Sequence, residues 1–380
     1  MTRRIAISLP STGEEEWQAC REPLLSGWLT QGPKVAAFEK AFAERHQVGH
    51  AIAVSSCTTG LHLALAGIGI GPGDEVIVPA FTWVATANAV LYCGATPVFA
   101  DVDRVTYNVD LDAVARKLTR KTRAVIAVHL FGRCIDMDAL RALLPEHVAL
   151  IEDAACASGS AWKGRPVGGL GDVAAFSFHP RKSVTTGEGG MVTTNNGELA
   201  RRIDQMRNHG ASISEEQRHS GPRPYLLPEF DLLGYNYRMT DLQGAVGLVQ
   251  LRKLDTFIDE RARWAAWYRE ALGGLDWLRL PDEPTSMRHG WQAFVTYVDP
   301  VRAPAARNDI MQRLEQQGVA TRPGTHAVHM LAYYKNHFSL DAGDFPGARD
   351  CANQTMAIPL HNRMSADDYD YVVACMRSFA

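Results

Sequence analysis

The chain lacks the features that mark several other classes of protein. Its 39 Lys+Arg and 42 Asp+Glu give a net charge of −3, and no segment is strongly basic, so we expect no nucleic-acid partner. No apolar run approaches the ~18 residues that a membrane span needs. Arg3 and Arg4 precede no long apolar segment, so we expect neither a signal peptide nor a membrane partner. These absences favour a cytoplasmic protein.

The cysteines form no pattern that would staple a small fold or bind zinc. Their number is odd, their spacings are wide and no C-x-x-C motif occurs, so reduced thiols fit better than disulfides or a zinc ribbon. His326 and His329 are three residues apart, but no third ligand lies near them in sequence, and we expect no metal site. The cysteines are Cys20, Cys57, Cys93, Cys134, Cys156, Cys351 and Cys375.

Motifs of other nucleotide-binding and hydrolytic enzymes are absent as well. The chain has neither a P-loop nor a G-x-S-x-G sequence. Gly67-x-Gly69-x-Gly71 precedes a predicted strand instead of following one, which is the wrong order for a dinucleotide-binding fingerprint. We interpret it as a turn that closes a helix before Asp74.

What the sequence does contain is a regular alternation of strands and helices. Apolar residues make up 46% of the chain, enough for a large core. The alternation predicts an α/β fold with a large, mostly parallel sheet and helices on both faces. Such sheets bind ligands at the carboxyl ends of their strands. The predicted strands are residues 51–54, 75–79, 97–101, 123–129, 148–153, 173–178 and 191–194, and the predicted helices between them are 59–66, 85–91, 110–118 and 136–144.

After about residue 195 the pattern changes. A loop rich in Ser, Gly, Pro and charge is predicted over residues 210–230, and the C-terminal part mixes strands with helices, as a smaller α+β domain does. Because roughly 150 residues form one domain, we place a large domain at residues 1–254, including the N-terminal segment, and a small domain at 255–380. The predicted helices here are 198–207, 241–254, 255–272, 305–317 and 366–378, with a strand at 292–298.

The most informative segment runs from residue 151 to residue 195. Residues 152–155 read EDAA at the end of one predicted strand, and residues 176–182 read FSFHPRK at the end of another. Lys182 is followed by a turn of small and hydroxyl-bearing residues. A lysine is most often a solvated surface charge, but desolvation lowers its pKa and frees the amine as a nucleophile. Lys182 is therefore a candidate reactive lysine.

This segment resembles the active-site region of the DegT/DnrJ/StrS sugar aminotransferases, fold-type-I enzymes that use pyridoxal 5′-phosphate (PLP). The family pattern, E-D-A-A-[QH] followed by S-F-H-x-x-K-x-x-[TS]-x-G-E-G-G, is matched at all positions but one. Further matches are SSCT at residues 55–58, PAFTW at 79–83 and LGYNYRMTD at 233–241. The resemblance extends across nearly the whole chain. It implies the fold-type-I architecture and a homodimer with shared active sites.

The resemblance implies a role for each matched residue near the cofactor ring. Lys182 would hold PLP covalently and then move a proton between cofactor and substrate. Asp153 would pair with the pyridine nitrogen and keep it protonated, which makes the ring an electron sink; an end-of-strand cap is the alternative. Trp83 would stack on one face of the ring, with a core tryptophan as the alternative.

Other matched residues would bind the cofactor phosphate. Cys57 and Thr58 lie at a strand-to-helix turn, where backbone N–H groups and the helix dipole favour an anion. Thr58 and Ser177 would add their hydroxyls, whereas Cys57 would contribute its backbone. Asn236 matches the family asparagine that reaches the phosphate from the neighbouring subunit, with a loop hydrogen bond as the alternative.

Two departures from the family pattern concern the substrate. Cys156 stands where the family has Gln or His, near the cofactor ring. The run TRPGTHAVH at residues 321–329 differs from the family's segment beside the sugar site, and only His329 aligns with it. Arg322, His326 and His329 are the candidate substrate residues of this run.

The resemblance implies an aminotransferase that moves an amino group, by expectation from L-glutamate, to a nucleotide-linked keto sugar for amino-sugar or polysaccharide biosynthesis. A 4-keto-6-deoxy sugar is the first expectation, and a 3-keto sugar is the alternative. Lys182 argues against a dehydratase of the same fold, in which histidine replaces this lysine. A PLP-binding regulator without turnover is the remaining alternative, from a different class of protein.

Overall fold

The computed structural model describes residues 3–213, 219 and 221–379. Its strands are β1 (His50–Val54), β2 (Glu75–Pro79), β3 (Phe81–Thr82), β4 (Thr96–Ala100), β5 (Thr122–Val128), β6 (Ala149–Asp153), β7 (Ala161–Trp162), β8 (Arg165–Pro166), β9 (Val173–Ser177), β10 (Gly190–Thr194), β11 (Leu278–Arg279), β12 (Met287–Arg288), β13 (Phe294–Val298), β14 (Arg322–Pro323), β15 (His326–Ala327) and β16 (Thr355–Ile358). Its helices are α1 (Glu14–Ala19), α2 (Arg21–Ser26), α3 (Pro33–His46), α4 (Cys57–Gly67), α5 (Ala85–Tyr92), α6 (Leu111–Lys117), α7 (Met137–Leu143), α8 (Gly197–Arg207), α9 (Asp241–Leu272), α10 (Arg307–Gln316), α11 (Ala332–Phe338), α12 (Pro346–Gln354) and α13 (Ala366–Arg377), with 3-10 turns at Leu130–Gly132 and Val328–Met330.

The predicted mostly parallel sheet is confirmed. Within the described residues it has seven strands in the order β1-β10-β9-β6-β5-β2-β4. The strands from β9 to β4 run parallel, and β10 pairs antiparallel with both β9 and β1. Every predicted strand of this sheet agrees with the structure to within one residue at each end.

Both faces of this sheet are buried, which is why its strands read as continuous apolar runs. On β2, Val76 and Val78 pack into one core cluster, while Ile77 packs into another on the opposite face. Successive side chains of a strand point to opposite faces, so a strand that is covered on both faces buries both sets of side chains and is apolar along its length. The helices that cover the sheet therefore leave the strand ends as its accessible edge.

The helices predicted over residues 241–254 and 255–272 are one continuous helix, α9, of 32 residues. No glycine or proline interrupts the chain at the predicted junction, and Leu254 is fully buried within the helix. The domain boundary predicted after residue 254 thus lies inside an unbroken helix. The division of the chain at this point stays a prediction.

The C-terminal part contains a second, four-stranded sheet in the order β11-β13-β16-β14. Its core includes Tyr268 from α9 and Phe294 from β13. Ile5, close to the N-terminus, packs into the same core, and its N–H donates a hydrogen bond of 2.8 Å to the Gly318 carbonyl oxygen. The first residues therefore pack with the C-terminal sheet.

Two sequence-based interpretations concern connecting segments. The turn interpretation of the Gly67–Gly71 segment is confirmed, because α4 ends at Gly67, Gly69 has a φ of 85° and the Gly71 N–H donates to Asp74. Of the loop predicted over residues 210–230, residues 214–218 and 220 lie outside the described residues.

Within the part of the chain that the structure covers, no helix is both long enough and apolar enough to cross a membrane.

Candidate active site

The carboxyl ends of the neighbouring strands β6 and β9 bring the predicted lysine and aspartate together. Because these strands are parallel neighbours, Asp153 at the end of β6 and Ser177 at the end of β9 lie at the same edge of the sheet. Lys182, on the turn that follows β9, is half-buried, and its Nζ lies 3.2 Å from the Cys156 Sγ. The fold thus places a partly desolvated primary amine close to a buried carboxylate.

Asp153 has only neutral partners at hydrogen-bond distance. It is 4% exposed; its Oδ2 accepts a hydrogen bond of 2.8 Å from the Thr86 hydroxyl, and its Oδ1 accepts one of 3.2 Å from the Ala155 N–H. Burial raises the pKa of Asp153, against the opposing effects of these hydrogen bonds and of the Lys182 charge. No described cationic side chain forms an ion pair with it. A protonated ring nitrogen would supply the positive charge that this carboxylate lacks.

The first turn of α4 lies beside Asp153. The Cys57 Sγ is 3.9 Å from the Asp153 Oδ1. Ser56 and Thr59 form a capping box, in which the Ser56 hydroxyl accepts a hydrogen bond of 3.2 Å from the Thr59 N–H. The N–H groups of Cys57 and Thr58, at the first two helical positions, have no acceptor in the described chain. Such unpaired N–H groups and the helix dipole fit an anion of the kind that a cofactor phosphate supplies.

A glycine lets strand β10 approach this helix end closely. A Cβ built on Gly190 would lie 2.5 Å from the Ser56 carbonyl carbon and 2.7 Å from the Cys57 nitrogen. Gly190 is paired with Ser177 between β10 and β9. Through Gly190, the fold therefore brings Ser177 near the first turn of α4, so that the predicted phosphate ligands Cys57, Thr58 and Ser177 share one region.

Trp83 and His326 meet although 243 positions of sequence separate them. Strand β15, which begins with His326, pairs with β3, which immediately precedes Trp83. The two rings are in edge-to-face contact at 5.4 Å between centroids. Trp83 is 58% exposed, so the alternative of a core tryptophan is wrong.

The structure separates the remaining candidate substrate residues. Arg322 is half-buried on β14, and an electrostatic interaction with Cys156 raises its pKa, although burial lowers that pKa overall. His329 is fully buried in the turn Val328–Met330, and its ring packs on Phe345 at 4.8 Å between centroids. Burial lowers the pKa of His329. The ring of His329 therefore has no exposed edge, unlike that of His326.

Asn236 lies on a segment that runs next to the first turn of α4. Its backbone forms an isolated antiparallel bridge with Asn208, and the Ser55 N–H donates to the carbonyl oxygen of the following residue, Tyr237. Asn236 itself is exposed. An exposed amide in this position is accessible to a second chain.

A buried histidine–glutamate pair that was not among the predicted site residues lies next to Asp153. His129 and Glu152 are fully buried, and the His129 Nε2 lies 3.0 Å from the Glu152 carboxylate. Because the His129 Nδ1 accepts a hydrogen bond from the Ile135 N–H, its Nε2 carries the proton and donates to Glu152. Burial opposes ionisation of Glu152, but its hydrogen bonds outweigh burial and lower its pKa. Glu152 is the first residue of the EDAA run, whereas the only sequence signal for His129 is its position at the end of a buried strand.

Comparisons with known proteins indicate which enzymes this chain is similar to. The model of the DegT/DnrJ/EryC1/StrS aminotransferase family matches residues 10–377. The spore coat polysaccharide biosynthesis protein SpsC of Bacillus subtilis is 41% identical over 375 residues, which cover 98% of this chain and 96% of that protein. Among solved structures, the aminotransferase TlmJ from Streptoalloteichus hindustanus is 35% identical, with a TM-score of 0.89 and 98% of each chain covered.

A third similar structure bears on the cofactor. A Streptococcus pneumoniae protein, provisionally named a sugar aminotransferase, is 27% identical, with 99% of each chain covered and a TM-score of 0.93 in its PMP-form. The same protein has been solved in its PLP-form, with a TM-score of 0.91. PLP is thus the cofactor of this enzyme. The unpaired N–H groups at the start of α4 fit its phosphate, and the buried carboxylate of Asp153 fits its ring nitrogen. The chain belongs to the DegT/DnrJ/EryC1/StrS family of PLP-dependent aminotransferases.

Proposed function

We propose that this aminotransferase moves an amino group from L-glutamate to a nucleotide-linked keto sugar, a 4-keto-6-deoxy sugar in the first instance and a 3-keto sugar as the alternative. The observation that carries the proposal is the half-buried Lys182 amine close to the buried carboxylate of Asp153. The name of the similar Bacillus subtilis protein, which refers to spore coat polysaccharide biosynthesis, supports a role in making an amino sugar for a polysaccharide.

Lys182 and Asp153 would perform the proton chemistry. When bound, PLP supplies an electron sink that carries the amino group between two substrates. The Lys182 amine would remove a proton from the donor carbon and return one at the acceptor carbon, acting first as a general base and then as a general acid. Asp153 would hold a proton at the ring nitrogen, and the Thr86 hydroxyl, which donates to its Oδ2, would orient its carboxylate.

The first turn of α4 would bind the cofactor phosphate. The N–H groups of Cys57 and Thr58 donate to it, together with the hydroxyls of Thr58 and Ser177. Burial raises the pKa of the Cys57 thiol well above its usual range, and the Asp153 charge adds to this effect, so the thiol stays protonated and only the Cys57 backbone takes part. Trp83 would stack on the ring, and His326, whose ring contacts that of Trp83, would border the substrate.

A second subunit would complete each site. We propose a homodimer in which Asn236 donates its side-chain amide to the phosphate bound by the other chain. This step is supported by the exposure of Asn236 and by its resemblance to the family asparagine that reaches the phosphate of the neighbouring subunit. A two-fold dimer would contain two such composite sites, because each chain gives its asparagine and receives the other.

The test is a pair of half-reactions with the PLP-loaded enzyme. L-glutamate should convert the yellow enzyme to the colourless amine form, and a panel of nucleotide-linked keto sugars should restore the colour with release of an amino sugar. Lys182→Ala should bind PLP without covalent attachment and should fail in both half-reactions. An unchanged spectrum on addition of any amino acid would favour the regulator alternative, and elimination of water from the sugar without transfer of nitrogen would favour the dehydratase.

A further inference from the structure

Arg322 is a half-buried guanidinium without an acidic partner. Its only hydrogen bond within the described chain is a long one, 3.5 Å from Nη2 to the Gly324 carbonyl oxygen. Burial lowers its pKa, which reflects the free-energy cost of keeping this charge away from water. An arginine in this position needs an anion, and the described residues do not provide one.

Other buried arginines of the chain are satisfied in the usual way. Arg207 forms ion pairs with Glu39 and Asp204. Arg261 donates to Asn362 and to two backbone carbonyl oxygens. Arg322 departs from this pattern, since it has neither a carboxylate nor a set of carbonyl acceptors. Its lack of partners is therefore specific to its position in the fold.

A second unpaired arginine shares a cavity with Arg322. Arg181 forms no ion pair within the described chain, and its positive charge lowers the pKa of Arg322. The neutral polar residues of this cavity are Ser8 and Gln292, and Gln292 donates a hydrogen bond of 2.9 Å to the Arg181 carbonyl oxygen. No described residue that lines the cavity is an aspartate or a glutamate. Two like charges without a counter-ion form a site for an anion.

Lys182 does not itself line the cavity, but two of the lining residues, Arg181 and Arg322, link the cavity to its surroundings. Arg181 immediately precedes Lys182 in the chain. Arg322 interacts electrostatically with Cys156, whose Sγ lies 3.2 Å from the Lys182 Nζ. An anion between the two guanidinium groups would therefore lie close to the reacting amine.

We infer that Arg322, together with Arg181, binds a carboxylate of the amino-acid donor; this inference rests on the proposed transamination. In an amino acid, the carboxylate is attached to the carbon that loses its proton, so its binding site must adjoin Lys182. In a nucleotide-linked sugar, a sugar ring separates the diphosphate from the keto carbon, so a diphosphate site lies farther from the amine. Arginine suits a carboxylate because its planar fork donates two parallel hydrogen bonds.

The experiment measures anion binding separately from turnover, on the PLP-loaded enzyme. Calorimetry gives the dissociation constants of glutarate, a dicarboxylate without an amino group, and of UDP, a nucleoside diphosphate without a sugar. Single-turnover absorbance gives the half-saturation concentration of L-glutamate. The variants are Arg322→Gln, Arg181→Gln and Arg322→Lys, which keeps the charge but not the fork. The control is Arg302→Gln, at an exposed arginine without an ion pair.

Arg322→Gln should weaken the binding of glutarate and L-glutamate about 10- to 100-fold, because a charge-assisted pair is lost. Arg181→Gln should weaken both less, since its side chain is more exposed, and Arg322→Lys should fall between Arg322→Gln and the wild type. UDP binding and the Arg302→Gln enzyme should match the wild type. If Arg322→Gln does not fold, Arg181→Gln and Arg322→Lys decide the question.

Three results would overturn the assignment. The first is that the wild-type enzyme does not bind glutarate, and the second is that the folded variants bind glutarate as tightly as the wild type does. The third is that the variants lose UDP binding as much as glutarate binding, which would assign the arginines to the nucleotide. Failure of the proposed function is a different result, in which the wild type transfers no amino group to any keto sugar. The glutarate measurement still decides the role of Arg322 in that case.

Discussion

The carboxylate of Asp153 shows how a single residue depends on its surroundings. Burial disfavours its charged form, and its hydrogen bonds from Thr86 and Ala155 only partly compensate. A cationic ring nitrogen at this carboxylate would form an ion pair with it. The pair would stabilise both groups, because neither charge would then be buried without a partner. The roles proposed for Asp153 and Thr86 can therefore be tested by removing charge and hydrogen bond separately.

Asp153→Asn keeps the shape of the side chain but removes its charge. We expect the rate of the L-glutamate half-reaction to fall at least 100-fold, because a loss of about 3 kcal/mol of stabilisation corresponds to that factor. PLP binding should change less than the rate, since the phosphate contacts remain. The measurement is single-turnover absorbance, with PLP affinity from fluorescence titration as the control. Turnover equal to that of the wild type would refute the electron-sink role.

Thr86→Val removes the hydroxyl that donates to Asp153 and preserves the volume of the side chain. We expect the same half-reaction to slow about 10- to 100-fold, because a hydrogen bond to a buried charge contributes about 1.5–3 kcal/mol. Thr82→Val is the matched control: the Thr82 hydroxyl contacts that of Thr86 at 3.0 Å, but not Asp153. Equal effects of the two variants would indicate a general packing defect instead of a role in orienting Asp153.

Sequence motifs and three-dimensional contacts contribute differently at this scale. Lys182 and Asp153 could be proposed from sequence because each lies in a continuous run that resembles a family pattern. Thr86 could not, because its hydrogen bond to Asp153 joins residues 67 positions apart. The burial of His329 was equally inaccessible, since it depends on how the turn Val328–Met330 packs against Phe345.

At the scale of elements, burial decided which ones could be predicted. The strands of the large sheet were found to within one residue because both of their faces are apolar. Helices α1, α2 and α3 were missed; α3 packs on α9, and Gly247 of α9 makes room for the Phe38 ring. The continuity of α9 was missed because no local sequence signal distinguishes one long helix from two shorter ones in succession.

Gly190→Ala tests the contact between β10 and the first turn of α4. The added Cβ would lie within 3 Å of the backbone of Ser56 and Cys57, so the strand or the helix end must shift. We expect PLP affinity to fall at least tenfold, measured by absorbance titration of the cofactor-free protein, because misplaced amides lose the phosphate. Gly71→Ala, where an added Cβ meets nothing within 4 Å, should bind PLP normally. Normal affinity of Gly190→Ala would separate this contact from the cofactor site.

Several contacts join parts of the molecule that are far apart in sequence. Ile5 packs in the C-terminal core, α9 runs through the predicted boundary, and β15 pairs with β3 beside Trp83. Chain order alone could not predict these connections, because each joins residues far apart in sequence. The candidate site thus combines residues that precede and follow α9, since His326 of β15 lies beside Trp83.

The buried histidine His46 should make the folded state less stable in mild acid. Burial lowers the pKa of His46 to about 4, from an ordinary value of 6.5. As the pH falls, His46 is therefore protonated in the unfolded chain before it is protonated in the folded protein. The free energy of unfolding decreases as the pH falls from 6.5 to about 4, by about 3 kcal/mol in full. In urea unfolding from pH 7 to pH 4.5, His46→Gln should show a flatter dependence than the wild type. His50→Gln, at an exposed histidine, should not; parallel curves for all three proteins would contradict the assignment.

The proposed dimer can be tested by complementation between two inactive variants. Lys182→Ala lacks the reacting amine, and Asn236→Asp places a carboxylate against the cofactor phosphate, where like charges repel. Each homodimer should be nearly inactive. After subunit exchange, one site of the heterodimer carries both lesions and the other carries neither, because its lysine comes from the Asn236→Asp chain and its asparagine from the Lys182→Ala chain.

Activity should therefore return on mixing, to at most about half of the wild-type value per heterodimer, as the two-fold symmetry of an isologous dimer requires. The measurement is amino-sugar formation as a function of mixing ratio, with exchange verified by mass spectrometry of the intact dimers. If Asn236 acts within its own chain, every site of the heterodimer keeps one lesion, and mixing restores nothing. Verified exchange without recovered activity would exclude the shared site, while the roles of Lys182 and Asp153 would stand on their own tests.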